Sequence, residues 1–246
     1  MTSLLDFHIY TARLAETRTI TIYLPPGYRI GTRYPVVFCA DGQAVPEFFH
    51  HLNDAIEQHG VPPVILVGVH SSDHYRAKEY IDGADEERFK AHEHFFTDEI
   101  YHWVSARFNI CISRESCAIL GFSNGAAFAL SMGVRHREKY GVVIAFSIAG
   151  GADRVAASEY TSRPIARHYL SAGTREKPLN KTTAVISRLL TKHGVDNVRT
   201  ERYAGHDLGF WASELPHAIR WSFPLAEVGW FTRVRDSLRG WTRKKR

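Results

Sequence analysis

The chain has 246 residues, 44% of them hydrophobic, and a net charge of +5, which suits one large α/β domain able to bury a full core without disulfides. No apolar run reaches 18 residues and the N-terminus lacks a basic region followed by an apolar core, so neither a membrane span nor a signal peptide is expected. Cys39, Cys111 and Cys117 are an odd number with no C-x-x-C pair; Cys39 and Cys117 sit in strand-like runs and read as buried thiols of a reducing, cytoplasmic protein.

Residues 7–24 alternate and are rich in Thr, Ile and Tyr, which predicts two antiparallel strands, Phe7–Tyr10 and Thr19–Leu24, at a sheet edge. Pro25-Pro26-Gly27-Tyr28 ends them. Strand candidates then follow at 36–39, 64–69, 117–120, 142–148, 169–171 and 198–203, with helix candidates near 45–58, 86–107, 124–137, 180–193 and 212–221. Alternating β and α segments imply a mostly parallel sheet with helices on both faces, behind the antiparallel N-terminal edge strands. Catalytic groups are expected at the C-terminal ends of its strands.

The charge is uneven. Residues 225–246 hold seven basic and two acidic side chains, and the remainder, 1–224, is neutral. Within this tail Trp230, Val234, Leu238 and Trp241 share a helical face opposite Arg235, Arg239 and Arg243. Docking on the body or on a second copy is the favoured reading, and membrane-surface contact is the alternative. No nucleic-acid partner is expected. The division is one domain over 1–224 and a basic amphipathic helix or tail over 225–246.

Gly121-Phe122-Ser123-Asn124-Gly125 carries the most chemistry. The pattern G-x-S-x-G is weak alone, but here Cys117–Leu120 precedes it as a buried strand and Ala126–Met132 follows as a small-residue helix. Strand, sharp turn and helix make a nucleophile elbow, which lifts the Ser123 hydroxyl clear of the sheet. A serine hydroxyl needs a base, and the base needs an orienting acid. In chain order Ser, acid, His, the candidates are Glu176 in Gly173-Thr174-Arg175-Glu176 and His206 in Gly205-His206-Asp207. Asp153 is the rival acid, and Asp207 reads as structural. The candidate oxyanion donors are the backbone N–H groups of Asn124, after the nucleophile, and Gln43, in the Asp41-Gly42-Gln43 loop.

On these residues the chain resembles the α/β-hydrolase esterase family that includes enterochelin esterases, S-formylglutathione hydrolases, feruloyl and acetyl-xylan esterase domains and mycolyltransferases. Tyr23-Leu24-Pro25-Pro26-Gly27-Tyr28, Tyr34 to Gln43, Arg76-Ala77-Lys78-Glu79-Tyr80, the elbow, Gly173 to Glu176 and Gly205 to Asp207 match in order over about residues 19–222. The resemblance implies the α/β-hydrolase fold and a serine esterase that needs no metal or organic cofactor. The D-G-Q loop leans toward the enterochelin-esterase-like branch. Ala126 stands where the family often has Gly, and some members of the siderophore branch work with Ser and His alone, which leaves the weight on Glu176 open.

Other features are read more plainly. Arg76 and Glu79 are expected to pair and brace the active-site loops, with direct substrate contact by Arg76 as the alternative. Phe210 and Trp211 either wall an acyl or aryl pocket or pack the following helix. His92-Glu93-His94 and His50-His51 lack the spacing of a metal site. The expected partner is a small-molecule ester: a siderophore lactone, a small acyl ester or an aryl ester. An acyltransferase or thioesterase on the same groups is the nearest rival, and a non-catalytic binding protein the more distant one.

Overall fold

The computed structural model describes residues 3–58, 60–150, 160 and 163–225. Asp153 and the tail from 226 to 246 lie outside them. Among the described residues eight strands form one sheet: β1 (Ser3–Thr11), β2 (Glu16–Leu24), β3 (Val36–Ala40), β4 (Ile65–Val69), β5 (Cys117–Phe122), β6 (Val142–Phe146), β7 (Arg167–Gly173) and β8 (Asn197–Arg202). Their spatial order is β1-β2-β4-β3-β5-β6-β7-β8. β1 and β2 run antiparallel, β2 also pairs antiparallel with β4, and every other pairing is parallel. The α/β-hydrolase fold is therefore the fold of this chain.

The central strands β3, β4, β5 and β6 are buried along their whole length, as expected for parallel strands covered on both faces. Strand alternation splits the interior into two cores. Val36, Phe38 and Ala40 face one with Phe89, Phe95, Phe96 and Phe128; Val37 and Cys39 face the other with Phe48, Leu52, Trp211 and Leu215. Each fully buried aromatic or branched side chain contributes roughly 1.5–3 kcal/mol.

The first core lies beneath α3 (Glu86–His94), a π-helical turn (Phe95–Ile100), α4 (Tyr101–Arg107), α5 (Asn124–Arg135) and α6 (Lys177–Lys192). The second lies beneath α1 (Val45–Glu57) and α7 (Leu208–Ser222). The short helix α2 (Arg76–Tyr80) precedes α3. None of the described helices is long and apolar enough to cross a membrane.

Strand order reverses between β3 and β5. A crevice opens outside the carboxyl ends of a parallel sheet at such a switch point. The loop after β3 is Asp41-Gly42-Gln43 and the residue after β5 is Ser123, so the switch point carries both the oxyanion candidate and the nucleophile candidate.

Candidate active site

The site runs across four neighbouring strands. Phe122 of β5 is in register with Phe146 of β6, and Phe146 with Ser171 of β7. The backbone N–H of Ser123 then donates to Phe146 O at 3.0 Å, and that of Ser147 to Ser171 O at 2.8 Å. Ser123 and Ser147 thus end adjacent strands side by side. Both have positive φ, 56° and 50°, a conformation that bulky residues avoid and functional turns retain.

Ser123 sits at the elbow with ψ −126°, immediately before α5. A Cβ on Gly121 would stand 1.9 Å from Gly125 O, so this turn closes only with glycine at 121. A Cβ on Gly125 would come 3.0 Å from Asp41 Oδ2 and 3.3 Å from Ala40 Cβ, which sets the loop after β3 against the start of α5. Ala126, where the family often has Gly, is fully buried and its N–H reaches Ser123 O at 3.1 Å.

Glu176 and His206 come from the ends of β7 and β8. A Cβ on Gly173 would stand 2.3 Å from Ala204 O, and Arg175 N–H donates to Ala204 O at 3.0 Å. The two loops therefore lie in contact. Glu176 stands at the N-cap of α6, yet its carboxylate does not cap that helix. It accepts from Gly173 N–H at 2.6 Å and the Ser147 hydroxyl at 2.6 Å, both on Oε1. Its Oε2 lies 2.8 Å from His206 Nδ1. His206 Nε2 lies 3.1 Å from Ser123 Oγ. A carboxylate only accepts, so with Oε1 holding two donors the Nδ1 hydrogen belongs on the Glu176 side. Nε2 then offers its lone pair to Ser123.

The structure brings the proposed nucleophile, base and acid into one hydrogen-bonded line. Asp207 does not join it; its carboxylate caps α7 by accepting from Phe210 N–H at 2.9 Å. Phe210 and Trp211 are both buried, 6% exposed, within the second core. Trp211 stacks on Phe122 at 4.2 Å, meets the His206 ring edge-on at 4.9 Å, and donates its indole N–H to Ser147 Oγ at 2.8 Å. Sequence reasoning does not single out Ser147, which falls inside the strand expected over 142–148; the structure ends that strand at Phe146, which leaves Ser147 just beyond it.

The loop after β3 is held from three sides. Asp41 is left-handed (φ 57°, ψ 54°) and its N–H donates to Tyr80 Oη at 2.8 Å. A Cβ on Gly42 would fall 2.2 Å from the Gly68 carbonyl carbon. The Gln43 side chain turns away to Ser71, with Nε2 to Oγ at 2.9 Å. Asn124 opens α5, where a first-turn N–H has no acceptor within its own helix.

The expected Arg76–Glu79 pair is corrected. Arg76 binds Asp41 instead, Nε to Oδ1 at 2.6 Å and Nη2 to Oδ2 at 2.7 Å. Burial lowers the Arg76 pKa but the Asp41 carboxylate outweighs it, and the net shift is upward. Glu79, fully buried, binds Arg18 through both guanidinium arms and Arg88 at 2.8 Å, and Arg88 reaches on to Glu16 at 2.6 Å. Burial raises the Glu79 carboxyl pKa, but the Arg18 hydrogen bonds and charge overcome it and hold it at about 2. Long-range charge pairing of this kind leaves no trace in local spacing.

His92 is buried among Tyr80, Phe95, Phe96 and Phe128, and burial pushes its imidazole down to about 4 despite the nearby Glu79. Glu93 binds Arg135 at 2.7 Å, and His94 binds Asp98 at 2.9 Å. Among the described residues no group of three His, Cys, Asp or Glu side chains is arranged to hold a metal ion.

Comparison with known proteins agrees with this architecture. A ferulic acid esterase from Anaeromyces mucronatus, solved with ferulic acid, is similar over 89% of this chain and 90% of its own at 18% identity, TM-score 0.73. The enterobactin esterase from Shigella flexneri, solved with 2,3-dihydroxy-N-benzoyl-serine, is similar over 89% of this chain and 59% of its own at 19% identity, TM-score 0.75. The BES protein from Bacillus cereus is similar over 89% and 94% at 16% identity, TM-score 0.75. At such identities these likenesses concern the fold. No curated protein matches in sequence. The family profile described as "Putative esterase" matches residues 11–222, so the chain belongs to that esterase family, with ester hydrolysis as the reaction class that membership assigns.

Proposed function

We propose that the protein is a serine esterase that works through an acyl-enzyme. The observation that carries this reading is the line Ser123 Oγ–His206 Nε2 (3.1 Å) and His206 Nδ1–Glu176 Oε2 (2.8 Å). Ser123 attacks the ester carbonyl while His206 takes its proton, and Glu176 holds the imidazole and stabilises the imidazolium. The N–H groups of Asn124 and Gln43 receive the developing oxyanion, a contribution of about 3 kcal/mol for one such donor. His206 then protonates the leaving alcohol. It next activates the water that releases the acid and frees Ser123. The substrates to try first are esters of ferulic acid and esters of 2,3-dihydroxy-N-benzoyl-serine, the acids bound in the similar solved enzymes.

The test is intact mass after treatment with a fluorophosphonate, on wild type and Ser123→Ala in parallel. A single adduct on wild type and none on the variant supports the reading. A folded wild type that takes no adduct removes it.

A further inference from the structure

Ser147 and Trp211 hold the acid and the base of the site from behind, and nothing in the esterase chemistry above assigns them a role. The indole N–H of Trp211 can only donate. It donates to Ser147 Oγ at 2.8 Å. The Ser147 hydroxyl hydrogen is thereby turned to its other partner, Glu176 Oε1 at 2.6 Å. The hydrogen bonds form a directed chain from indole to hydroxyl to carboxylate. Ser147 is fully buried and Trp211 is 6% exposed, so water does not compete with the chain. Its hydroxyl is aimed there by a positive φ of 50° at the end of β6.

Trp211 makes two further contacts. Its ring stacks on Phe122, the residue before Ser123, at 4.2 Å, and meets His206 edge-on at 4.9 Å. One indole therefore touches the nucleophile's strand, the base and the acid's hydroxyl partner. We infer that Trp211 and Ser147 are positioning residues of the hydrolytic reaction: Trp211 orients the Ser147 hydroxyl, and Ser147 fixes Glu176 as an acceptor for His206. This inference rests on the serine-esterase reading. It also takes Trp211 out of the substrate pocket and gives it to the catalytic framework.

The experiment is a double-mutant cycle of Ser147→Ala and Trp211→Phe, read by the rate of fluorophosphonate labelling and by kcat and KM on an aryl ester across pH. Loss of the hydrogen bond to the Glu176 carboxylate predicts about a tenfold loss of kcat in Ser147→Ala, and loss of the neutral indole–hydroxyl bond about a threefold to tenfold loss in Trp211→Phe, with KM nearly unchanged in both. The double variant should be no worse than Ser147→Ala by more than about twofold, because Trp211 acts through Ser147. A carboxylate short of one donor favours the charged imidazole beside it, so the acid limb of the rate profile moves to higher pH. A purely structural role would leave that limb in place. Ser147→Cys keeps a weaker donor and should fall between wild type and Ser147→Ala.

Full labelling rates in both single variants, fully additive losses, or an unmoved acid limb each overturn the inference while wild-type labelling leaves the esterase reading standing. If Ser147→Ala does not fold, Trp211→Phe alone carries the kcat and pH tests. A wild type that takes no label overturns the esterase reading and this inference with it.

Discussion

The Arg76 guanidinium closes both of its arms on the Asp41 carboxylate, Nε on Oδ1 at 2.6 Å and Nη2 on Oδ2 at 2.7 Å. A two-point contact of this kind fixes orientation as well as distance. It ties α2 to the loop that carries the Gln43 N–H, so a helix remote in sequence sets where that N–H points. Asp41 is 2% exposed and Arg76 28%. Removing the arginine leaves a buried carboxylate without its cation, and the partial exposure of Arg76 softens the penalty. Arg76→Gln is expected to destabilise by about 2–3 kcal/mol and to lower kcat/KM. Urea unfolding and aryl-ester kinetics check both. An unchanged midpoint would show the pair to be incidental.

Ser123→Ala removes the hydroxyl without disturbing the turn, because alanine tolerates the same backbone as serine there. Turnover should fall by about 10⁴-fold or more, and the melting temperature should stay within a few degrees. Steady-state kinetics beside calorimetry measure the two. Near-wild-type turnover would place the nucleophile elsewhere.

Glu79 gives the fold an acid-sensitive joint. Its pKa lies at about 2 against an ordinary 4.5. A depressed carboxyl binds fewer protons folded than unfolded, so its stabilisation is complete above about pH 4.5 and is lost as pH falls toward 2. The shift corresponds to about 3 kcal/mol. Denaturant midpoints between pH 5.5 and 2.5 should fall steeply in wild type. In Glu79→Gln they should start lower and fall less across that window. Parallel slopes would assign the acid sensitivity to other carboxylates.

Gly42→Ala sets a methyl against backbone atoms that cannot turn aside, with the Gly68 carbonyl carbon 2.2 Å and its oxygen 2.3 Å from the new Cβ. β4 and the loop after β3 must separate. Overpacking of this kind typically costs about 1–3 kcal/mol, and the displaced Gln43 N–H should lower kcat more than it raises KM. Equal kcat in the variant would remove Gln43 from the oxyanion assignment.

Much of this was legible in the residues. Apolar runs such as Val36–Cys39 and Val142–Ile148 announce buried strands, and the sheet holds them at Val36–Ala40 and Val142–Phe146, the second two residues shorter than expected. The glycine spacing around Ser123 and the loop positions of Glu176 and His206 were readable because each follows a strand. What escaped was set by contacts between distant segments. α7 begins at Leu208, ahead of the apolar periodicity that placed it near 212, because Asp207 caps it. α2 is a single turn too short to show a period. Arg18, 61 residues from Glu79, could not be linked to it by spacing. Ser147 reads as one more small residue within the strand expected over 142–148, and its partner Trp211 lies 64 residues away in sequence. Asp153 and the tail over 226–246, expected to form a basic amphipathic helix, fall outside the described residues.

The four neighbouring strand ends have a consequence for the order in which a chain is made. Ser123 follows β5 near the middle of the sequence, whereas His206 follows β8, the far edge strand. During synthesis the N-terminal strands emerge first and can begin to fold as they do so. A nascent chain that has assembled β1 through β5 displays the proposed nucleophile without its proposed base, which lies 83 residues further along the chain. On the proposed mechanism, hydrolytic competence would be withheld until the last strand docks, and turnover would be a late and strict reporter of completed folding.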